Sequence, residues 1–292
     1  MISPLNIVFC IDKGGLPGLG ATLASLFLHC SDRSQLVIYL FNSNLDIRDK
    51  NEISKLCSRY DYSIPIRYIP ISVEASFTNL SSFHGSLMNY ARLLIADTLD
   101  LDRVLYIDAD LIIKCDVHVF RTMDLGDNVI AAAKGSSLKH RIDCEVLTRN
   151  GCSEDMPYFN AGVLLIDLDK WRIRGLRFVL ESFIRQNSDL PSHDQTVLNY
   201  LFQGAFYDFS DKYNSPWMPK NKLSHTDDQI LHFIGSPKPW DFLGKQIHLG
   251  YTEWFKYSDA LWREQYLCRY FTLNFYKRIW RIRRSIIRNL IS

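Results

Sequence analysis

Short runs of apolar, often β-branched residues alternate along this chain with stretches of helical periodicity. Leu5–Ile11, Leu36–Phe41, Ile64–Ile69, Val104–Ile107 and Asn128–Ala133 read as strands. Ala21–Cys30, Ile47–Tyr60 and Ser86–Leu99 read as the helices between them. A strand apolar on both faces must be covered from both sides, and intervening helices supply that cover. The pattern therefore predicts an α/β fold, a Rossmann-like, mostly parallel sheet flanked by helices. With 292 residues, 47% of them hydrophobic, the chain has enough material for a large core.

The segment Val104–Ile107 runs directly into Asp108-Ala109-Asp110. In extended backbone, side chains at i and i+2 project the same way, so the two carboxylates converge. Their repulsion is relieved by a positive partner, and a hard divalent cation is the usual one. The end of a central strand is also where open α/β sheets seat ligands. An Asp-rich turn closing a strand is the alternative for the pair alone.

Other segments bear on a site. Asp12 to Gly20 is a glycine-rich loop after the first strand, a layout that lets backbone N–H groups approach a ligand. Its spacing does not match a dinucleotide fingerprint, and a tight turn is the plain alternative. Phe77–Gly85 and Lys134–Met156 are polar and read as loops, the second as a flap facing an acceptor. Tyr158–Asp167 reads as one long strand interrupted at Ala161-Gly162, and Leu168–Asn187 as one helix. Ser192-His193-Asp194-Gln195 opens a further helix, with Ser192 or Asp194 as its N-cap. His232 ends an apolar strand, and Lys238 follows in a loop constrained by Gly235, Pro237 and Pro239. Imidazole suits manganese and an ammonium suits phosphate, although a solitary histidine is commonly a satisfied core residue.

From residue 261 the composition changes. Leu267, Phe271, Phe275, Ile279, Ile282, Ile286 and Leu290 recur at helical spacing, and no acidic residue follows Glu264. Lys277, Arg278, Arg281, Arg283, Arg284 and Arg288 fill the remaining arc. We read a body over 1–260 and a basic amphipathic tail over 261–292, suited to an anionic membrane surface. A tail docked on the core with solvated arginines is the alternative. A net charge of +2 gives no global footprint for nucleic acid. Seven scattered cysteines without a CxxC pair suggest neither a zinc site nor a disulfide framework, and fit a reducing cytoplasm. The N-terminus lacks a basic signal-peptide region, and no apolar run approaches the ~20 residues of a membrane span.

Taken in order, IVFCID, NYARL, LYIDAD, YFNAGVLLIDL, SHDQTVLN and HFIGSPKPW resemble glycosyltransferase family 8, over roughly Asn6 to Trp240. Within it, the chain is similar to bacterial lipopolysaccharide α-glucosyl- and α-galactosyltransferases. The resemblance implies a GT-A fold, a UDP-glucose or UDP-galactose donor, manganese (magnesium as substitute), and transfer with retention to a lipopolysaccharide or related glycan. The cysteine usage and the basic tail together predict a cytoplasmic protein, peripheral at the inner face of the membrane. By motif, Asp108, Asp110 and His232 would ligate the metal. Lys238 and the backbone at Gly235 would hold the diphosphate, and Asp12 would contact uracil. Arg92 and Asn160 would contact the donor. Asp194 would bind the transferred sugar, with Gln195 beneath its anomeric carbon. The chain departs from some relatives at Gly14-Gly15, where an aromatic stacks on uracil, and at Gly135, where an Asp stands.

Three rival readings are weaker. A haloacid-dehalogenase-like phosphatase carries an Asp-x-Asp near the start of its domain and gives HFIGSPKPW no role. A calcium loop from Asp108, Asp110 and Asp116 fails because Ile113 and Val119 stand where Gly and Glu belong. A non-catalytic glycan-binding protein would have no need of an intact Asp108, Asp110, His232 and Lys238.

Overall fold

The computed structural model describes residues 3–77, 80, 86–187, 189–267 and 272–291. Most of the expected loop at 77–85, together with Cys268 and Phe271, lies outside them. The described strands, in chain order, are β1 (Leu5–Ile11), β2 (Leu36–Asn42), β3 (Arg67–Pro70), β4 (Arg103–Ile107), β5 (Leu111–Ile113) and β6 (Ile130–Ala132). There follow β7 (Lys134–Ser137), β8 (Pro157–Phe159), β9 (Val163–Asp167), β10 (Tyr207–Asp208), β11 (Ser215–Pro216) and β12 (Ile230–His232).

The main sheet has the order β10-β6-β9-β4-β1-β2-β3. β1 pairs in parallel with both β2 and β4, while β9 runs antiparallel to β4 and β6. Apolar side chains of β1, β2, β4 and β9 are buried on both faces, in two clusters on opposite sides of the sheet. The expected α/β architecture is present, with the predicted strands shortened at the edges where burial falls off, as in β3.

A second, three-stranded sheet in the order β11-β12-β5 stands at the end of β4. Its register sets His232 opposite Leu111, one residue past Asp110. The helix Leu16–His29 pins β5 in place: Thr22 Oγ1 donates to Leu111 O (2.8 Å) and accepts from Leu111 N (3.1 Å), and Ile113 N donates to Ser25 Oγ (2.9 Å).

Three local expectations are corrected. The first helix begins at Leu16, not Ala21, because Pro17 suits a first turn and Gly18 and Gly20 are taken into the helix. A Cβ at Gly18 would overlap Ala109 O and the Trp240 ring, and one at Gly20 would overlap the Trp262 indole. These glycines let the helix approach the Asp108–Asp110 segment and the C-terminal region. The strand expected over Tyr158–Asp167 breaks into β8 and β9 because Asn160-Ala161-Gly162 leaves the ladder. The helix expected over Leu168–Asn187 breaks at Gly175, whose φ is +60°, into Leu168–Ile173 and Leu176–Gln186.

The helix Ala260–Tyr266 spans residue 261 and carries Trp262 into the core. Its indole N–H donates to Leu16 O at 2.9 Å. Truncating a buried Trp to Ala removes its transfer energy and leaves a cavity, so Trp262→Ala should cost about 3–5 kcal/mol in urea denaturation. A loss under about 1 kcal/mol would show that this helix does not stabilise the body.

Candidate active site

Asp108, Asp110 and His232 converge where β4, β5 and β12 meet, with ligand atoms all within 4.8 Å of one another. His232 Nε2 lies 3.3 Å from Asp110 Oδ1 and 3.8 Å from Asp108 Oδ2. Two loop-to-strand bonds hold the frame: Asp108 N donates to Gly162 O (2.8 Å) and Phe233 N to Asp110 O (3.1 Å). A Cβ on Gly162 would run into the His232 imidazole, so the small residue is needed for that ring to reach the carboxylates.

Each carboxylate also has a cation. Arg92, 8% exposed, donates to Asp108 Oδ1 (2.9 Å) and lies 2.8 Å from Asp194 Oδ2. It also donates to Ala161 O and Asn89 O and stacks over Tyr106 at 4.3 Å. The Tyr106 hydroxyl donates to Asp108 Oδ1 at 2.5 Å. Lys238 Nζ pairs with Asp110 Oδ2 at 2.7 Å and donates to Phe233 O. Three carboxylates, Asp108, Asp110 and Asp194, thus face two side-chain cations, leaving a negative excess.

That excess, and one orphan atom, fit a metal. Asp110 Oδ1 is buried without a hydrogen-bond partner and faces the bare edge of His232. Oxygen and nitrogen ligands at about 2.1 Å from an octahedral ion sit about 3 Å apart when adjacent, close to the spacing here. Burial works to raise the Asp110 carboxyl, but the Lys238 ammonium opposes it and the carboxyl is held below the usual range. A second group, Cys30, Asp116 and His118, also meets the spacing. There the His118 Nε2 lies 2.9 Å from Asp32 O, in an internal hydrogen bond.

The remaining sequence candidates fall around this centre. Arg92 lies on a 3-10 segment, Met88–Leu94, where an α-helix was expected. Asp194 and Gln195 open the helix Asp194–Phe202, whose N-cap is His193 at φ +55° with no side-chain cap, replacing the expected Ser192 or Asp194. Asp194 Oδ1 accepts from Asn89 Nδ2 at 2.7 Å. Gln195 Oε1 accepts from Asn160 Nδ2 and Ala161 N, both at 3.0 Å. Gly235 adopts φ +73° in the loop carrying Lys238. Asp12, just after β1, accepts from Gly14 N at 2.8 Å. Asn89, Tyr106, Asp143, Tyr158 and Asn214 were not singled out for roles from sequence. Tyr106 left a signal in the i, i+2 alternation it shares with Asp108 and Asp110, and Asn89 and Tyr158 open the motifs NYARL and YFNAGVLLIDL.

This architecture defines a class, the GT-A-type glycosyltransferases. The chain belongs to glycosyl transferase family 8, whose family model matches residues 6–244. General stress protein A of Bacillus subtilis is 22% identical over 277 residues, covering 86% of this chain and 94% of that protein. Lipopolysaccharide 1,3-galactosyltransferase of Salmonella typhimurium is 26% identical over 256 residues, covering 82% and 74%. The galactosyltransferase LgtC, solved with donor and acceptor sugar analogs, superposes with a TM-score of 0.71 at 24% identity, covering 89% of this chain and all of that one.

Asp194 gives a pH-dependent signature. Burial pushes its carboxyl up to about 6, because Arg92 is shared with Asp108 and opposes the shift only in part. The same two carboxylates hold Arg92 firmly protonated. A folded-state value above the unfolded one contributes stability that is complete below pH ~4 and is lost as pH rises through about 6. At about 1.4 kcal/mol per unit, the wild type should lose on the order of 3 kcal/mol across this window relative to Asp194→Asn. Parallel urea midpoints for the two proteins from pH 4 to 8 would refute it.

Proposed function

We propose that this chain is a retaining hexosyltransferase that moves glucose or galactose from a UDP-sugar to a lipopolysaccharide core or related cell-surface glycan. The observation that carries the reading is the Asp108–Asp110–His232 convergence with Lys238 beside it. Asp108, Asp110 and His232 would hold a divalent ion, manganese in preference to magnesium because one ligand is imidazole. When bound, that ion would neutralise the charge growing on the departing diphosphate.

The chain's own groups do the rest. Lys238, paired with Asp110, is placed to turn to a diphosphate oxygen, and Gly235 opens the backbone of that loop. Asp12 would face the uracil at the end of β1. Arg92 fixes Asp108 and Asp194 in one arrangement, so the sugar-binding carboxylate and the charge-binding one keep a set separation. Asn160 and Gln195 form the floor beneath the sugar. The Gln195 carbonyl oxygen already accepts two donors and is a poor nucleophile, while Asp194 Oδ1 accepts from Asn89 and Oδ2 is ion-paired with Arg92. This favours attack from the leaving-group face, with Asp194 and Gln195 positioning the sugar. A covalent sugar trapped on Asp194 would overturn that mechanism.

Screening UDP-sugars for manganese-dependent hydrolysis tests the reading. Asp110→Ala should lower the rate by at least about 10²-fold, the several kcal/mol a metal site supplies. Turnover indifferent to chelators, or release of phosphate from simple esters with no sugar nucleotide, would reject it.

We further propose that the enzyme works as a cytoplasmic protein at the inner face of an anionic membrane, through its C-terminal helix Leu273–Ile291. Ile282 and Ile286 dock on Leu243 and Ile247, so part of the apolar stripe read from sequence packs on the protein. The outward face still carries Leu273, Tyr276, Trp280 and Ile287 among Lys277, Arg281, Arg284 and Arg288. Among the described residues no helix is long and apolar enough to cross a membrane. Replacing Leu273 and Trp280 together by Glu should sharply reduce sedimentation with phosphatidylserine liposomes. Unchanged binding would sink the membrane claim.

A further inference from the structure

An imidazole can serve a metal only if the nitrogen aimed at it carries no proton, and the partner of the other nitrogen decides this. His232 is 5% exposed, with Nε2 toward Asp108 and Asp110 and Nδ1 2.8 Å from Asn214 Oδ1. In the neutral imidazole, a proton held on Nδ1 leaves Nε2 as the lone-pair nitrogen facing Asp108 and Asp110.

We propose that Asn214 is a positioning residue that keeps the His232 proton on Nδ1 and leaves Nε2 free for a cation, its own amide being locked by main-chain groups at 160–162. This rests on the reading that Asp108, Asp110 and His232 hold a divalent ion. Asn214 is 4% exposed and ends the short 3-10 turn Asp211–Asn214. A flipped amide would present its NH₂ to His232. The flip is blocked because Asn214 Nδ2 donates to Asn160 O (3.2 Å), which can only accept, and to Asn160 Oδ1 (2.9 Å). Asn160 is fixed in turn by Gly162 N, which can only donate, at 2.9 Å to the same Oδ1.

The direction continues without a conflict. Asn160 Nδ2 donates to Gln195 Oε1, whose orientation Ala161 N sets by donating to it. Gln195 Nε2 donates to the Tyr158 hydroxyl (3.1 Å), which donates to Asp143 (2.5 Å). Asp143 is buried and takes further bonds from Ser192 N, Ser192 Oγ and Thr196 Oγ1. One chain of donors thus runs from His232 to a buried carboxylate. Its members come from β8, β12, the 160–162 break, the turn Asp211–Asn214, the helix Asp194–Phe202 and the residue before the helix Cys144–Arg149. Because main-chain N–H and C=O groups anchor the amides nearest His232, the far end matters less to the imidazole than Asn214 does.

Two measurements on the full chain test this. In the metal-free protein, the ¹H–¹⁵N spectrum should contain an exchange-protected His232 Nδ1–H, assigned by its absence in His232→Ala. An unprotonated or rapidly exchanging Nδ1 in the wild type overturns the proposal with no variant needed. Mn²⁺ titration followed by electron paramagnetic resonance should show Asn214→Leu binding about 10–100-fold more weakly, with the protected proton lost. Tyr158→Phe should stay within about threefold of wild type, since the main-chain anchors lie between it and His232. Wild-type-like Mn²⁺ affinity in Asn214→Leu, or equal weakening in Tyr158→Phe, overturns the assignment. Unchanged affinity in His232→Ala would instead reject the three-ligand reading, and the protected proton would still decide the role of Asn214.

Discussion

Two carboxylates at the end of a buried strand, partly out of water, repel each other. Much of the surrounding structure manages that repulsion. Asp108 receives Arg92 and the Tyr106 hydroxyl, and Asp110 receives Lys238. Tyr106 is local, but Arg92 is 16 residues from Asp108 and Lys238 is 128 from Asp110, so the fold has to bring the cations in before the pair is tolerable. Compensation is deliberately incomplete: with Asp194 included, the carboxylates outnumber their side-chain cations. A site built this way keeps a negative excess among its own side chains. Removing one partner of such a set costs more than the pair contributes, because it strands a buried charge.

Close approach is the second constraint. Two glycines of the 12–20 region, Gly18 and Gly20, serve packing. Gly18 admits the carbonyl of Ala109, and Gly20 admits the Trp262 indole. Gly162 does the same for His232 from the other side of the centre. Each absent methyl group lets a carbonyl or a ring from another part of the chain come close. The chemistry of the site therefore depends on positions that carry no chemistry themselves.

The alternation of apolar runs and helical patterns was enough to foresee the sheet and its covering helices. The approach of Asp108, Asp110, His232 and Lys238 was expected only through the resemblance to family 8; the residues alone left an Asp-rich turn and a satisfied core histidine open. What escaped reading shares one property. Asn214, Asn89, Tyr158 and Asp143 act through hydrogen bonds to residues 15 to 105 positions away. Asn89 and Tyr158 lie within NYARL and YFNAGVLLIDL, yet nothing local to them or to Asp143 and Asn214 shows which atoms they reach. Element boundaries failed where a glycine did something unusual. Gly18 and Gly20 looked like a loop but lie within a helix, and Gly175 looked tolerable in a helix but ends one. Periodicity records which face is buried, not which atoms must touch.

The C-terminal helix shows how far the site reaches. Arg278 donates through Nε and Nη2 to the carboxylate of Asp241, at 2.9 and 2.8 Å. Asp241 Oδ2 also accepts from the backbone N–H of Lys238 at 2.7 Å. The loop that presents Lys238 to Asp110 is therefore braced from behind by the basic tail. An arginine that sequence alone assigns to a solvated or membrane-facing arc instead sits on the body and fixes a turn of the candidate phosphate loop. Removing the whole tail would thus disturb that loop together with any surface attachment. Only substitutions on the outward face, away from Arg278, Ile282 and Ile286, separate the two effects. The mixture of roles on one helix follows from its geometry: at 3.6 residues per turn, one face can brace the body while the opposite face keeps its charges and aromatic rings exposed.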